Sequence, residues 1–481
     1  MATITSLGIG SNIDANSIVS QLVALEKKPL VQLQKTAKDI QTQMSSVGQI
    51  QSLFSKLQDS ANALSNATTW NAVQSTTSDP AAVSVAASNG APVGSYRVNV
   101  QSLAAAQTVL APVALSSNAA PVGEGTMTIE IGSWDTGRTQ FTARAGGNPV
   151  SITITASDTL ATMRDRINSA GAGVTASIVT DSTGARLTMS SSESGENAGF
   201  RISVNDTGGT APDAPRLSRF AFETATSVDA MQPMQWGANA VAFINDIRVS
   251  SGSNTLSGVL DGLTLTLNRE TTAPVTVGVT RDTGTVKDAI KKFAESYSEL
   301  AKTIGQMTRY DEATQTGGPL QGDSVTVGLL SRMRSLINTP SGASTVFTRL
   351  SDIGLTLQRD GTMSVNEARL DTALGRLSDL RTALGTVNVA NPVNAGLARR
   401  FSDLATAMLG TNGTITNRTS SLQKALANNQ ANQDKVEARA ETMQQRLVAQ
   451  YSAMDSAVSR LSGLNSFVTA QLAALNRTSQ G

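Results

Sequence analysis

The sequence predicts a multidomain α+β protein with terminal coiled-coil helices, a helical-bundle domain and two inserted β-rich head domains. Three observations carry this. Apolar residues recur every seven positions near both ends of the chain. In the middle, short alternating runs separated by Gly, Pro and Asn replace that spacing. Finally, 481 residues are more than one core serves, and 4% aromatics leave cores built of Ala, Val and Leu.

Taken in order, residues 1 to about 13 are polar and loose. Asp14 is placed to cap a first helix, and Ile18, Leu22 and Leu25 give it one apolar face before Pro29 interrupts it. Leu33, Ile40, Val47, Phe54 and Ala61 then repeat every seven residues. Ile50, Leu57 and Leu64 form the second series, with Gln43 in phase. The pattern stops near Trp70, and Asp79-Pro80 marks a boundary.

Strands are expected at 82–85, 96–100, 126–131 and 150–155, and again at 174–179, 186–190 and 200–204. A short helix over 160–169 has Asp158 as its expected cap and Gly171 and Gly173 as its stop. The Gly- and Pro-rich stretch 206–236 reads as loop or linker. Strands resume at 240–244, 247–250, 263–267 and 275–279.

Helical spacing returns at Ile290, Phe293, Tyr297, Leu300, Ile304 and Met307, and at Leu329, Met333, Leu336 and Ile337. Residues 354–364 read as a hairpin turning at Asp360-Gly361. Leu370, Leu374, Leu377, Leu380 and Leu384 line another helix. Near the C-terminus, Leu426, Ala440, Leu447, Met454, Leu461, Val468 and Leu475 share one heptad series, with Gln433 filling its gap. Leu422, Val436, Met443, Ala457 and Leu464 share the other, with Asn429, Gln450 and Gln471 as polar members. Buried polar members cost stability but fix register.

These shifts divide the chain. Residues 1–40 and 415–481 are loose terminal coiled-coil docking segments, and 41–71 with 284–414 form the helical-bundle leg. Residues 72–107 with 236–283 form one β-rich head domain, and 108–235 an inserted, variable one.

Composition narrows the function. The net charge is +1, from 38 basic and 37 acidic residues, so the chain lacks the basic surplus that nucleic-acid binders use against phosphates. It has no Cys and no His, which removes thiolate chemistry, disulfides, the commonest general base and the commonest zinc ligand. The N-terminus lacks the charged and apolar regions of a cleavable signal peptide, and no apolar run is long enough to insert in a membrane.

The remaining chemical motifs are weak. Gly8-Ile9-Gly10 opens like a dinucleotide loop, but no strand precedes it and Ile13 stands where the third Gly belongs. Ser421 and Lys424 have Ser/Lys spacing but lie on a heptad helix without companion motifs. Asp311 and Glu312 sit beside the Gly317-Gly318 turn and read as solvated. Asp181, Asp206 and Asp282 read as turn residues. Glu26, Lys27 and Lys28 make a small charged surface or an ordinary helix end.

Residues 9–26, Ile-Gly-Ser-Asn-Ile-Asp-Ala-Asn-Ser-Ile-Val-Ser-Gln-Leu-Val-Ala-Leu-Glu, with Pro29-Leu30 after them, resemble the N-terminal signature of the bacterial flagellar filament cap family, also called hook-associated protein 2. The family usually has Gly where Asn12 stands. The stretch from Gly94-Ser95-Tyr96 to Ala104-Ala105-Ala106-Gln107 is similar to another family segment. Residues 239–267, with Asn254 and Gly262 to Leu265, look like the short repeat of hook-associated proteins. Leu320-Gln321-Gly322-Asp323-Ser324 looks like the family's L-x-G-D-S turn, and Gly354 to Met363 resembles its hairpin.

The resemblance implies a secreted structural protein without cofactors, assembled as a ring at the extracellular, distal tip of the flagellum. Its implied partners are copies of itself, flagellin, the hook–filament junction proteins, the export apparatus and a cytoplasmic export chaperone. Alternatives are a surface adhesin role for the head, or another axial flagellar protein. A hydrolase would need an apolar cleft with paired carboxylates. The residues expected to carry function are contact residues. Ile40, Val47, Ile50, Phe54, Leu57 and Leu64 form one side of a helical bundle. Leu447, Met454, Leu461, Leu464 and Val468 supply a second side or dock on the filament end. On this reading Leu461→Asp places a charge in an apolar seam.

Overall fold

The computed structural model describes residues 14–207, 215–223, 230–312 and 315–478. The Gly8-Ile9-Gly10 motif and the first part of the N-terminal signature lie outside these. The chain forms two compact units, Met1–Trp70 with Gly284–Gly481, and Asn71–Thr283.

The first unit opens with α1 (Ala15–Glu26), capped by Asp14, whose carboxylate accepts from the Ser17 N–H at 3.0 Å. Helix α2 (Lys28–Ala63) follows after Lys27 alone. The first helix ends just before Pro29, as expected, and Pro29 itself stands in the first turn of α2, where a missing N–H costs nothing. The short helix α3 (Ala67–Trp70) ends this arm, with the Trp70 indole donating to the Leu64 carbonyl.

The second unit contains β1 (Val73–Thr77), β2 (Val83–Ala87), β3 (Gly94–Ser102), β4 (Thr108–Leu110), β5 (Gly125–Trp134), β6 (Phe141–Ala143) and β7 (Val150–Ile154). After α4 (Leu160–Ser169) come β8 (Val174–Asp181), β9 (Gly184–Ser191), β10 (Gly199–Asp206), β11 (Gln232–Gln235) and β12 (Ala240–Ile244). The last four are β13 (Ile247–Ser251), β14 (Thr255–Leu260), β15 (Leu263–Leu267) and β16 (Val275–Arg281).

One core lies within the antiparallel sheets β1-β16-β3-β12-β13 and β14-β15-β2, filled by Val83, Val98, Val100, Leu265 and Val277 among others. Hairpin β12–β13 turns at Asn245-Asp246, both with positive φ, so its backbone twist matches that of the strands. Gly262 turns β14 into β15 at φ +70°, and a Cβ there would sit 2.9 Å from Ser88 Oγ.

A second core lies within β10-β5 with β6 and β7, the sheet β11-β4-β9-β8, and α4. Residues 206–236 are not merely a linker. Leu217, Phe220, Phe222 and Met231 are buried in this core, and Trp134 packs edge-on against Phe222 and Trp236. The Gly/Pro composition reported the backbone and hid these widely spaced anchors.

Two motif amides act as clamps. Gln107 is fully buried, and its side chain exchanges hydrogen bonds with the Phe200 backbone, N–H and C=O, at 3.0 and 2.9 Å. Asn254 does the same for Ala104, at 2.7 and 3.0 Å. Each replaces a ladder partner that the strand ends lack.

The cap of α4 differs from expectation. Thr159 caps it in a reciprocal box with Thr162, because its hydroxyl reaches the N3 amide. Asp158 lies buried one residue before. Burial pushes its carboxyl up, but the Thr155 N–H, the Thr155 and Thr162 hydroxyls and Arg166 outweigh that and hold it at about 2. A depressed carboxylate contributes stability above the unfolded value, and this is lost as pH falls from about 4 to about 2. Asp158→Asn is therefore expected to lower the urea midpoint of this unit at pH 7 and to flatten its fall between about pH 4 and 2, followed by Trp fluorescence. An unchanged pH slope would refute the assignment.

The first unit resumes with α5 (Thr283–Thr308), the two-residue strands β17 (Tyr310–Asp311) and β18 (Thr316–Gly317), and α6 (Ser324–Asn338). Hairpin β19 (Leu355–Leu357) and β20 (Met363–Val365) leads to α7 (Glu367–Leu374) and α8 (Leu377–Gly385). The leucines 370–384 thus line two helices. Arg376, between them, leaves helical geometry at φ −125°, ψ 56°. Next come α9 (Leu397–Leu409) and the 65-residue α10 (Thr414–Thr478).

Sequence reading missed α9. Its buried stripe runs through Leu397, Phe401, Ala405 and Met408, with Asp403, Thr406 and Ala407 exposed opposite, so the helical spacing was present in the sequence, but no side chain caps its start to mark it. Phe401 stacks edge-on with Phe293 at 5.3 Å and Tyr297 at 5.8 Å.

Candidate functional site

The terminal helices pair. Val47, Ile50, Leu53, Phe54, Leu57 and Ala61 of α2 are buried in one core with Ile415 and Leu422 of α10. Further along the pair, Asn429, Gln433, Val436 and Ala440 of α10 are buried too. Gln433 donates to the Asn429 Oδ1 at 2.6 Å, so the polar seam members satisfy each other one helical turn apart. Asp323 anchors the base of α10. Its nearly buried carboxylate caps α6 by accepting from the Thr326 N–H and pairs with Arg418 at 2.7 Å. That is the work of the L-x-G-D-S turn.

Helix α1 joins α10 through Val19 and Val23, which pack with Ala440, Leu447, Val448 and Tyr451. The expected face was the other one: Ile18 and Leu25 are exposed and Leu22 is half-buried. Both stripes are apolar. The smaller side chains, with Ala15, turn inward, where Ala440 leaves room for close approach. Glu26 faces Arg439 at 3.8 Å.

The expected contact residues fall into two groups. Val47, Ile50, Phe54, Leu57 and Leu64 are buried within this chain's own bundle, and Ile40 packs at its edge. Leu447 and Met454 are half-buried. Leu461, Leu464 and Val468 are 66%, 62% and 45% exposed, joined by Phe467 and Leu472. The pairing with α1 ends at Tyr451, and every residue from Ser459 to Ala474 is exposed. Among the described residues the seam therefore stops short of Leu461. The side chain of Leu475 lies outside the described residues.

Other chemical candidates stay apart. Ser421 and Lys424 are both exposed, while Leu422 between them is buried. Among the described residues no three acidic side chains are placed to hold a metal ion. A cavity of about 410 Å³ is lined by Leu336, Pro392, Val393, Arg400 and Leu404. Its single carboxylate, Asp403, pairs with Arg399 at 2.8 Å. Arg400 donates to the carbonyls of Thr339, Pro340 and Val393, fastening a loop. No helix among the described residues is long and apolar enough to cross a membrane.

Comparison with known proteins is consistent along the whole length. Family profiles for the flagellar hook-associated protein 2 N-terminus and C-terminus match residues 11–107 and 237–463. The A-type flagellar hook-associated protein 2 of Pseudomonas aeruginosa is 30% identical, covering 96% of each chain. The chain belongs to the flagellar hook-associated protein 2 family. The B-type protein of P. aeruginosa is 29% identical and that of Escherichia coli K12 28%, each covering 98% of both chains. The crystal structure of the D1-D2-D3 domains of the flagellar cap protein FliD from E. coli aligns with TM-score 0.60 and 27% identity, over 79% of this chain and 99% of that one.

The flagellin hook IN motif matches residues 139–193. It spans the β-β-α-β-β run from β6 to β9 around α4, whereas 239–267 lies within the C-terminal profile of the hook-associated family.

Proposed function

We propose that this chain is a structural cap that self-assembles at the distal, extracellular end of the bacterial flagellum. It promotes ordered insertion of exported flagellin and prevents its loss, without making or breaking covalent bonds. The observation that carries this reading is the uncovered apolar stripe on the far end of α10, in a chain related to hook-associated proteins over nearly its full length. A stripe with no partner among the described residues is suited to meet one elsewhere. The proposed partners are further copies, flagellin and the hook–filament junction proteins. Export uses the flagellar export apparatus and a cytoplasmic chaperone.

The test is deletion of the gene. Cells are expected to keep hooks, carry few or no filaments and release flagellin into the medium, with recovery on complementation. Filaments of ordinary length in the deletion strain would end this reading.

A further inference from the structure

The outward faces of the terminal helix pair carry opposite charge. On α2, Lys28, Val31, Lys35 and Lys38 share one exposed face at i, i+3, i+7 and i+10, opposite the buried seam. None of these lysines has an ion-pair partner among the described residues, and Asp39 at the margin of the face offsets only part of the charge. On α10, Asp434, Glu437 and Glu441 share an exposed face at i, i+3 and i+7. Among the described residues Asp434 accepts only from Gln430, and Glu437 and Glu441 have no ion-pair partner. The cations of this part of α10, Lys435, Arg439 and Arg446, lie on its other flank, where Arg439 meets Glu26.

The Glu26–Arg439 contact fixes the start of α2 beside this part of α10, and from there the two helices run antiparallel toward their shared core. Each charged face spans roughly 10–15 Å at 1.5 Å per residue. The two are similar in length and overlap in part along the pair, around Lys28 and Asp434 to Glu437.

We propose that the basic face of α2 docks against the acidic face of α10 on a second copy of this chain, side by side. The contact uses two different patches of one molecule, so it is heterologous and repeats around a closed ring. Like-charged faces repel when two copies meet in the wrong order, so the arrangement also sets a direction of assembly. The proposal rests on the reading that the chain self-assembles.

Full-length protein is followed by sedimentation velocity at low ionic strength. Lys28→Glu/Lys35→Glu/Lys38→Glu leaves both faces acidic, and Glu437→Lys/Glu441→Lys leaves both largely basic. Each variant alone is expected to assemble about tenfold more weakly or worse, while keeping wild-type helicity. Mixing the two, or combining all five changes in one chain, is expected to restore assembly, and salt is expected to weaken wild type in the same range. Wild-type assembly by both single-face variants, or no recovery on mixing and in the combined variant, would overturn the proposal. Failure of the wild-type chain to assemble would instead remove the self-assembly reading on which it stands.

Discussion

Phe54→Ala is expected to destabilise the helical unit by about 3–5 kcal/mol, through lost transfer energy and the cavity left behind. Phe54 is fully buried on α2 and shares its core with Phe293, Tyr297, Phe401 and Leu422. Close packing on all sides lets the site collapse only partly. The thermal midpoint of this unit should fall by roughly 10 °C or more, read by helical circular dichroism. The β-rich unit has its own cores and should keep its signal. A midpoint within a degree or two of wild type would show that Phe54 is not a core residue. The loss of motility expected in such a strain follows from unfolding, not from a lost contact between subunits.

Leu461→Asp is the opposite case. The residue is 66% exposed, so the carboxylate stays in water and the melting of the isolated chain should change by about 0.5 kcal/mol or less. In the assembled cap the same carboxylate would enter an apolar contact without a counter-charge, at a cost of several kcal/mol. The expected result is a protein that folds and is exported like wild type, yet fails to retain flagellin on the filament. Normal filament retention by the exported variant would remove Leu461, with Leu464 and Val468 beside it, from the contact surface. The two substitutions differ in which property fails. Phe54 belongs to the chain's own bundle, and Leu461 to whatever covers α10.

Periodicity is what a sequence states most clearly, and here it located α2, α5 and α10 and most strands of the β-rich unit. Strands such as Leu263–Leu267 alternate between buried and half-buried positions, so hydrophobicity alone places them. The family motifs were legible too, although the work of Gln107, Asn254 and Asp323 was not. Each acts on a backbone or an arginine tens to hundreds of residues away.

The apolar pattern by itself determined that the ends are long helices around a β-rich middle, because a seven-residue repeat and a two-residue alternation each fit one backbone. Only the tertiary structure decided which apolar stripes are spent inside the chain. Ile18 and Val19, or Phe54 and Leu461, look equally fit for burial in sequence. What separates them is whether a partner helix lies alongside, and α10 runs on beyond its last contact with α1 at Tyr451. For α9 the apolar stripe Leu397, Phe401, Ala405 and Met408 was legible at helical spacing, and what the tertiary structure added is that Arg400 and Ser402 are buried beside it.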